Sequence, residues 1–156
     1  MADFRRGVRL GVDWGKARVG VAACDADGLL SYPVETVAAA DETAALTRVA
    51  HLAAQHAAIE VVMGLPVALN GRQGLAATDV AAVAERLAGL LPVPVRLLDE
   101  RLTTAAASRH LTGLSQRSKR RIVDQAAAVG LLEDAIAFER HTGRPAGIVC
   151  APSGAQ

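Results

Sequence analysis

The chain predicts an α/β fold: a mixed five-stranded sheet with helices on both faces. Three observations carry the prediction. Three short apolar runs separated by turn signals come first and make an antiparallel meander. Helix-period and buried-strand patterns then alternate, as they do in βαβ units. A long amphipathic segment closes the pattern. With 156 residues, 51% hydrophobic and 3% aromatic, the chain suits small-residue helices packed tightly on a sheet.

Val8–Trp14 and Val19–Cys24 read as two strands joined by a tight, glycine-flanked hairpin. Asp25-Ala26-Asp27-Gly28 is a turn signal, and Leu29–Val37 a third strand in which Pro33 marks an edge or a bulge. Asp41 is placed to cap a helix running to Ala57, with Ala45, Leu46, Val49, Leu52 and Ala53 at helical spacing. Ile59–Met63 is a short buried strand, followed by Gly64-Leu65-Pro66 and the polar loop Asn70–Gly74. The next helix reaches Leu91, with Ala81, Val83, Ala84, Leu87 and Leu90 as its apolar contacts. Val93–Leu98 is another buried strand and ends in Asp99-Glu100-Arg101. Thr103 or Thr104 caps a short helix to Leu111, and a last helix spans Ser115–Arg140. Residues 1–142 read as one domain and 143–156 as a tail, in which Ala146–Cys150 is either a short strand or irregular chain.

Composition excludes several classes. Asp3, Arg5, Arg6 and Arg9 break up the N-terminus, so no signal peptide is expected. The apolar stretch Val80–Leu98 is interrupted by Glu85, Arg86, Pro92 and Pro94, so no membrane span is expected. Cys24 and Cys150 are too few for a disulfide framework or a zinc site and point to a reducing, cytoplasmic setting. Net charge is +1, but it is unevenly spread. Arg101, Arg109, Arg117, Lys119, Arg120 and Arg121 fall in a stretch without an acid, and the rest of the chain balances at −5. Such a block is either a solvated helix face or a polyanion-binding surface. Its place between Glu100 and Asp124 favours the second.

Asp13 interrupts an apolar strand where Val or Ile is usual. A carboxylate there is costly to bury unless a metal ion, a lysine or an arginine satisfies it. If the first, fourth and fifth strands are parallel neighbours, Asp13 and Glu100 both end up at the carboxyl edge of the sheet, where active groups gather in such folds. Asp124, early in the last helix, reads either as a third member of this group or as a surface carboxylate paired with Arg120 or Arg121. His51, His56 and His141 read as helix-surface residues, and His110 has no evident catalytic partner.

Four motifs carry a resemblance. Asp13-Trp14-Gly15 with Arg18-Val19-Gly20-Val21-Ala22, then Val62-Met63-Gly64-Leu65-Pro66 with Asn70-Gly71, then Asp99-Glu100-Arg101-Leu102-Thr103-Thr104, and Asp124-Gln125-Ala126-Ala127-Ala128 together resemble the YqgF/RuvX family. These are RuvC-like members of the ribonuclease H superfamily, to which pre-16S rRNA nuclease and Holliday junction resolvase roles are ascribed. The resemblance spans Leu10 to Glu139. It implies a ribonuclease H-like fold and a carboxylate cluster of Asp13, Glu100 and Asp124 served by Mg2+ or Mn2+. The chain departs from the family at Lys16-Ala17, where a hydroxyl residue usually follows the first glycine, and at Trp14, where Phe or Tyr is usual.

The expected chemistry is metal-dependent phosphodiester hydrolysis of structured nucleic acid. Two hard cations held by oxygen ligands would activate water and stabilise the leaving oxygen. Asp13 would bridge them, with Glu100 and Asp124 each completing one site. Arg101, Arg117, Lys119, Arg120 and Arg121 are candidates for flanking phosphates. Arg18 is a candidate for the scissile phosphate or for a salt bridge inside the hairpin, and Arg72 for the nucleic-acid path. The expected substrate is the 5′ end of pre-16S rRNA, with the ribosomal particle as a candidate partner. The alternatives are a Holliday junction resolvase, which would need a dimer rather than a monomer, and a non-catalytic ribonuclease H-like binding module. An actin-like ATPase fragment also fits the Asp-x-Gly hairpin, but those proteins need two such halves.

Overall fold

A computed structural model describes residues 4–65, 77–99 and 116–151. The elements are β1 (Arg9–Trp14), β2 (Arg18–Cys24), β3 (Ser31–Ala38), α1 (Glu42–Gln55), β4 (Glu60–Leu65), α2 (Ala77–Ala88), β5 (Val95–Asp99), α3 (Gln116–Thr142) and β6 (Ile148–Cys150). The strands form one sheet in the order β3-β2-β1-β4-β5-β6. β1, β2 and β3 are antiparallel, and β1, β4 and β5 are parallel neighbours, as the sequence predicts. The expected short helix from Thr103 or Thr104 to Leu111 lies outside the described residues. Among the described residues, no helix is long and apolar enough to cross a membrane.

Among the described residues the sheet has six strands, not the expected five. Gly143, at φ 73°, ends α3 with its N–H bonded to the Glu139 carbonyl at 2.8 Å. Gly147, at φ 83°, then lets Ile148–Cys150 run antiparallel to β5. A Cβ at Gly147 would stand 2.5 Å from the Leu97 carbonyl oxygen, so this close approach needs glycine. The third strand begins later than expected. The Asp25 side chain accepts hydrogen bonds from the Leu29 and Leu30 N–H groups at 2.8 Å, which keeps those two residues in the turn. Pro33 satisfies both readings offered for it: β3 is an edge strand, and its register shifts where Ala22 pairs with Pro33.

Alternation divides the core into two layers. Leu10, Val12, Trp14, Val19, Val21 and Ala23 face α1 and α2. Asp41 caps α1 by accepting from the Ala44 N–H, and the buried residues of α1 are the predicted Ala45, Leu46, Val49, Leu52 and Ala53. On α2, Val80, Val83, Ala84 and Leu87 are buried, whereas Leu90 lies beyond the helix end and is exposed. Trp14 is buried and packs in this layer.

Among the described residues, the opposite face is covered by α3, packed on Ala22, Cys24 and Val62. Its buried residues are Ala127, Ala128, Leu131, Leu132, Ala135, Ile136 and Glu139. Helical spacing gives the core stripe as Ile122, Ala126, Val129, Leu132 and Ile136. Leu132 and Ile136 are buried, Val129 is partly buried against this layer, Ala126 is half-buried, and the side chain of Ile122 lies outside the described residues. Gly11 sets how closely the helix lies. A Cβ there would stand 2.7 Å from the Ala128 carbonyl oxygen and from Leu132 Cγ, so the backbones of β1 and α3 meet where β1 has no side chain.

The amino-terminal end of the sheet is closed by buried charge. Arg9, Glu60 and Glu139 are exposed by only 1%, 2% and 2%. Arg9 Nη2 donates to Glu139 Oε2 at 3.1 Å, and Arg96 Nε donates to Glu60 Oε1 at 2.9 Å. Arg5 bridges both carboxylates, with Nη2 at 2.7 Å from Glu139 Oε1 and 3.0 Å from Glu60 Oε1. Among the described residues, no buried side-chain nitrogen or oxygen lacks a hydrogen bond. Burial pushes the Glu139 carboxyl up. Hydrogen bonds from the Arg5 side chain and backbone, with the charges of Arg9 and Arg5, outweigh it and hold the group at about 2, below its ordinary 4.5.

Two predictions follow from these contacts. Gly11→Val overpacks the β1–α3 contact and is expected to cost about 1–3 kcal/mol, read as a Tm lowered by several degrees. Gly89→Ala, whose nearest atom is the Arg86 carbonyl oxygen at 3.4 Å, is the control and is expected to change Tm little. The second concerns acid. Because the folded Glu139 carboxyl is depressed, its stabilisation is complete above pH 4.5 and is lost as pH falls toward 2. Glu139→Gln leaves Arg9 buried with one carboxylate fewer and is expected to cost about 3–5 kcal/mol at neutral pH. Denaturant unfolding from pH 7 to pH 2 should show the variant's stability falling less steeply below pH 4.5. A parallel acid limb in wild type and variant would remove Glu139 as its source.

Candidate nucleolytic edge and adjoining groove

β1 leaves the core at its carboxyl end through Asp13, which pairs with Gly20 of β2. The chain then turns on Gly15. Its N–H donates to the Arg18 carbonyl at 2.8 Å, and a Cβ there would stand 2.7 Å from that same oxygen. In the alternation of β1, Asp13 shares the face of Gly11, which is the face that α3 covers. It is half-buried.

The direction of α3 fixes what lies over Asp13. Arg9, at the start of β1, bonds Glu139. Gly11, two residues on, lies against Ala128 and Leu132. Moving forward along β1 is therefore moving backward along α3. The next step is marked by Gln125, whose Nε2 donates to Thr36 Oγ1 at 2.8 Å. Thr36 pairs with Gly20 and Gly20 with Asp13, so the three form one row across β3, β2 and β1. The backbone of α3 at residues 124–125 thus passes over the row that begins with Asp13, and Asp124 is one turn before Ala128.

The other parallel strands end at the same edge. β4 ends at Leu65, which pairs with Asp99, the last residue of β5. Glu100 follows directly in the chain and lies outside the described residues, as do Arg72 and Arg101. Arg117, Lys119, Arg120, Arg121 and Asp124 belong to α3 by their backbone, and their side chains are likewise outside the description. Among the described residues, no group of three His, Cys, Asp or Glu side chains is arranged to hold a metal.

A groove of about 380 Å³ lies on the α3 face of the sheet, two strands from Asp13, lined by Ala17, Arg18, Thr36, Ala38 and Gln125. Arg18 pairs with Ala38 across β2 and β3. Of these residues the sequence marks Arg18 as a site candidate and Gln125 only as part of the Asp124–Ala128 motif. It assigns no role to Thr36, although strand alternation puts Thr36 in step with Ala38. The pair becomes visible only once α3 is laid antiparallel to β1.

Comparison with known proteins covers most of the chain. The family model RuvX, described as Holliday junction resolvase, matches residues 7–137. A Streptomyces coelicolor protein named "Putative pre-16S rRNA nuclease" is 51% identical over 147 residues, covering 92% of this chain and 88% of its own. A Thermobifida fusca protein of the same name is 48% identical over 154 residues, covering 92% and 96%. Among solved structures, Thermus thermophilus RuvC in complex with a Holliday junction substrate matches with a TM-score of 0.58 at 14% identity, over 90% of this chain and 99% of that one. A second Thermus thermophilus RuvC structure matches with the same TM-score at 16% identity. At these identities the likeness is one of fold.

Proposed function

Since this chain belongs to the RuvX family and has a RuvC-like ribonuclease H fold, we propose that it is a metal-dependent nuclease that processes the 5′ end of pre-16S rRNA. The observation that carries this reading is the position of Asp13. It is a half-buried carboxylate at the carboxyl end of a core strand, on the face crossed by the turn of α3 that contains Asp124. Glu100, one residue beyond β5, completes the proposed set. The names of the curated relatives support rRNA as substrate.

A strand-end carboxylate is a hard oxygen donor, which suits Mg2+ or Mn2+. Asp13, Glu100 and Asp124 would hold the metal, which supplies an activated water and charge neutralisation at the scissile phosphate. The protein's own part is to fix the carboxylates on rigid strands and on a helix whose position is set at Gly11 and at the buried ion pairs. Arg18, Arg72, Arg101, Arg117, Lys119, Arg120 and Arg121 would neutralise flanking phosphates. Residues 1–142 form the nuclease domain in this reading. The protein works in the cytoplasm, as a monomer or a homodimer, with the two free cysteines Cys24 and Cys150 in keeping with a reducing compartment.

A second reading has a specific observation behind it. The RuvC neighbour is bound to a Holliday junction, and the family model is described as a resolvase. Resolution of a junction needs two active sites in a symmetric dimer.

The test is cleavage by wild type and Asp13→Asn with manganese, magnesium or chelator. The substrates are a 16S precursor with its 5′ leader, an unrelated structured RNA and a four-way DNA junction. Metal-dependent cleavage of the precursor is expected, with a loss of about 10²-fold or more in the variant and an unchanged Tm. Full activity of Asp13→Asn would remove the carboxylate mechanism, and paired symmetric nicks in the junction would select the resolvase reading. Joint replacement of Lys119, Arg120 and Arg121 by Ala is expected to weaken RNA binding and to reduce the log–log salt slope by about 2. An unchanged slope would mean that this part of α3 faces away from the nucleic acid.

A further inference from the structure

The groove is chemically unlike a phosphate-only channel. Among the described residues its lining is Arg18 at one side, the hydrogen-bonded Thr36–Gln125 pair at the other, and the small apolar Ala17 and Ala38. The groove lies two strands from Asp13 along the Asp13–Gly20–Thr36 row, about 10 Å away. Gly20, in the middle of the row, joins the two by strand pairing.

The bond from Gln125 to Thr36 uses one amide N–H and one lone pair of the hydroxyl. Thr36 keeps its O–H as a donor, and Gln125 keeps its carbonyl oxygen as an acceptor and a second N–H as a donor. A ribose 2′-hydroxyl both donates and accepts, and it needs such a pair of partners side by side. Both partners stand on regular elements, β3 and α3, so the arrangement exists before ligand arrives. We propose that the groove is a ribose subsite for a nucleotide flanking the scissile phosphate. The Thr36–Gln125 pair engages its 2′-hydroxyl, Arg18 holds the adjoining phosphate, and Ala17 and Ala38 contact the sugar carbons. The inference rests on the reading of Asp13 as the cleavage site, and it gives this edge of the sheet a means of telling RNA from DNA.

The experiment separates the two claims by using binding as its readout. The protein is full-length Asp13→Asn, which does not need to cut. The probe is a fluorescein-labelled 16S precursor fragment with its 5′ leader, together with a series carrying one 2′-deoxy residue walked along the strand. Deoxy substitution at one or two adjacent positions is expected to weaken binding by about 3–10-fold, the size of one or two neutral hydrogen bonds. Adding Gln125→Leu or the isosteric Thr36→Val should weaken all-ribose binding by a similar factor and abolish the sensitivity at those same positions. Thermal unfolding checks the fold of each variant, and Thr36→Val carries the test if Gln125→Leu is unstable. Equal binding at every deoxy position, absence of RNA binding, or unchanged sensitivity in a folded variant overturns the subsite. If wild type cleaves nothing but the deoxy sensitivity disappears with Thr36→Val, the ribose subsite stands and the nuclease reading falls.

Discussion

The contact on which the rest of the structure depends is the one between Gly11 and Ala128. A helix lying on a sheet usually stands off by the thickness of two side-chain layers. Here β1 offers a hydrogen atom and α3 an alanine, so the two backbones come within the reach of a single Cβ. This approach sets the rotation of α3 about its own axis and the height at which it crosses the sheet. It therefore brings Gln125 onto Thr36 and carries the turn holding Asp124 over the row that starts at Asp13. A side chain at position 11 would act on the distant edge through the rigidity of the helix, because packed interiors transmit displacement rather than absorb it.

The two ends of the sheet divide the work. At the amino end, charges are buried, matched and hydrogen-bonded, and they hold β1, β4, β5 and α3 together. At the carboxyl end, the carboxylate of Asp13 is half-buried near the close of β1. Buried ion pairs add little stability over an apolar core, but they penalise wrong registers severely, since any slip strands a charge. The arrangement suits a protein whose other end must hold carboxylates in a fixed geometry.

Much of this was legible in the sequence. Strand alternation, the Asp41 cap and the turn at Asp25–Gly28 are local properties, and the elements they predict are present. Asp13 stood out because a carboxylate in an apolar strand is expensive, and the parallel order of β1, β4 and β5 follows from the alternation of strands and helices. The face of α3 was partly legible, since Leu132 and Ile136 of the spacing-derived stripe are buried. How closely the helix approaches the sheet was not, because that is decided by Gly11, more than a hundred residues earlier. β6 was left open because three residues carry too little periodicity. The Thr36–Gln125 contact depends on where α3 lies, and no spacing in the chain announces it.

The ion pair between Arg9 and Glu139 joins residues 130 positions apart, and that separation bears on how the protein is born. The β1–β2–β3 meander uses only local contacts and can assemble as soon as it leaves the ribosome. It cannot reach its final form. Neither Glu60 nor Glu139, the carboxylates that face Arg9 in the complete fold, has been made at that stage, and α3 does not yet cover the face that Gly11 leaves bare. The guanidinium stays solvated until the last helix is made. The contacts that Arg9 and Gly11 make with α3 therefore form only after that helix has been made.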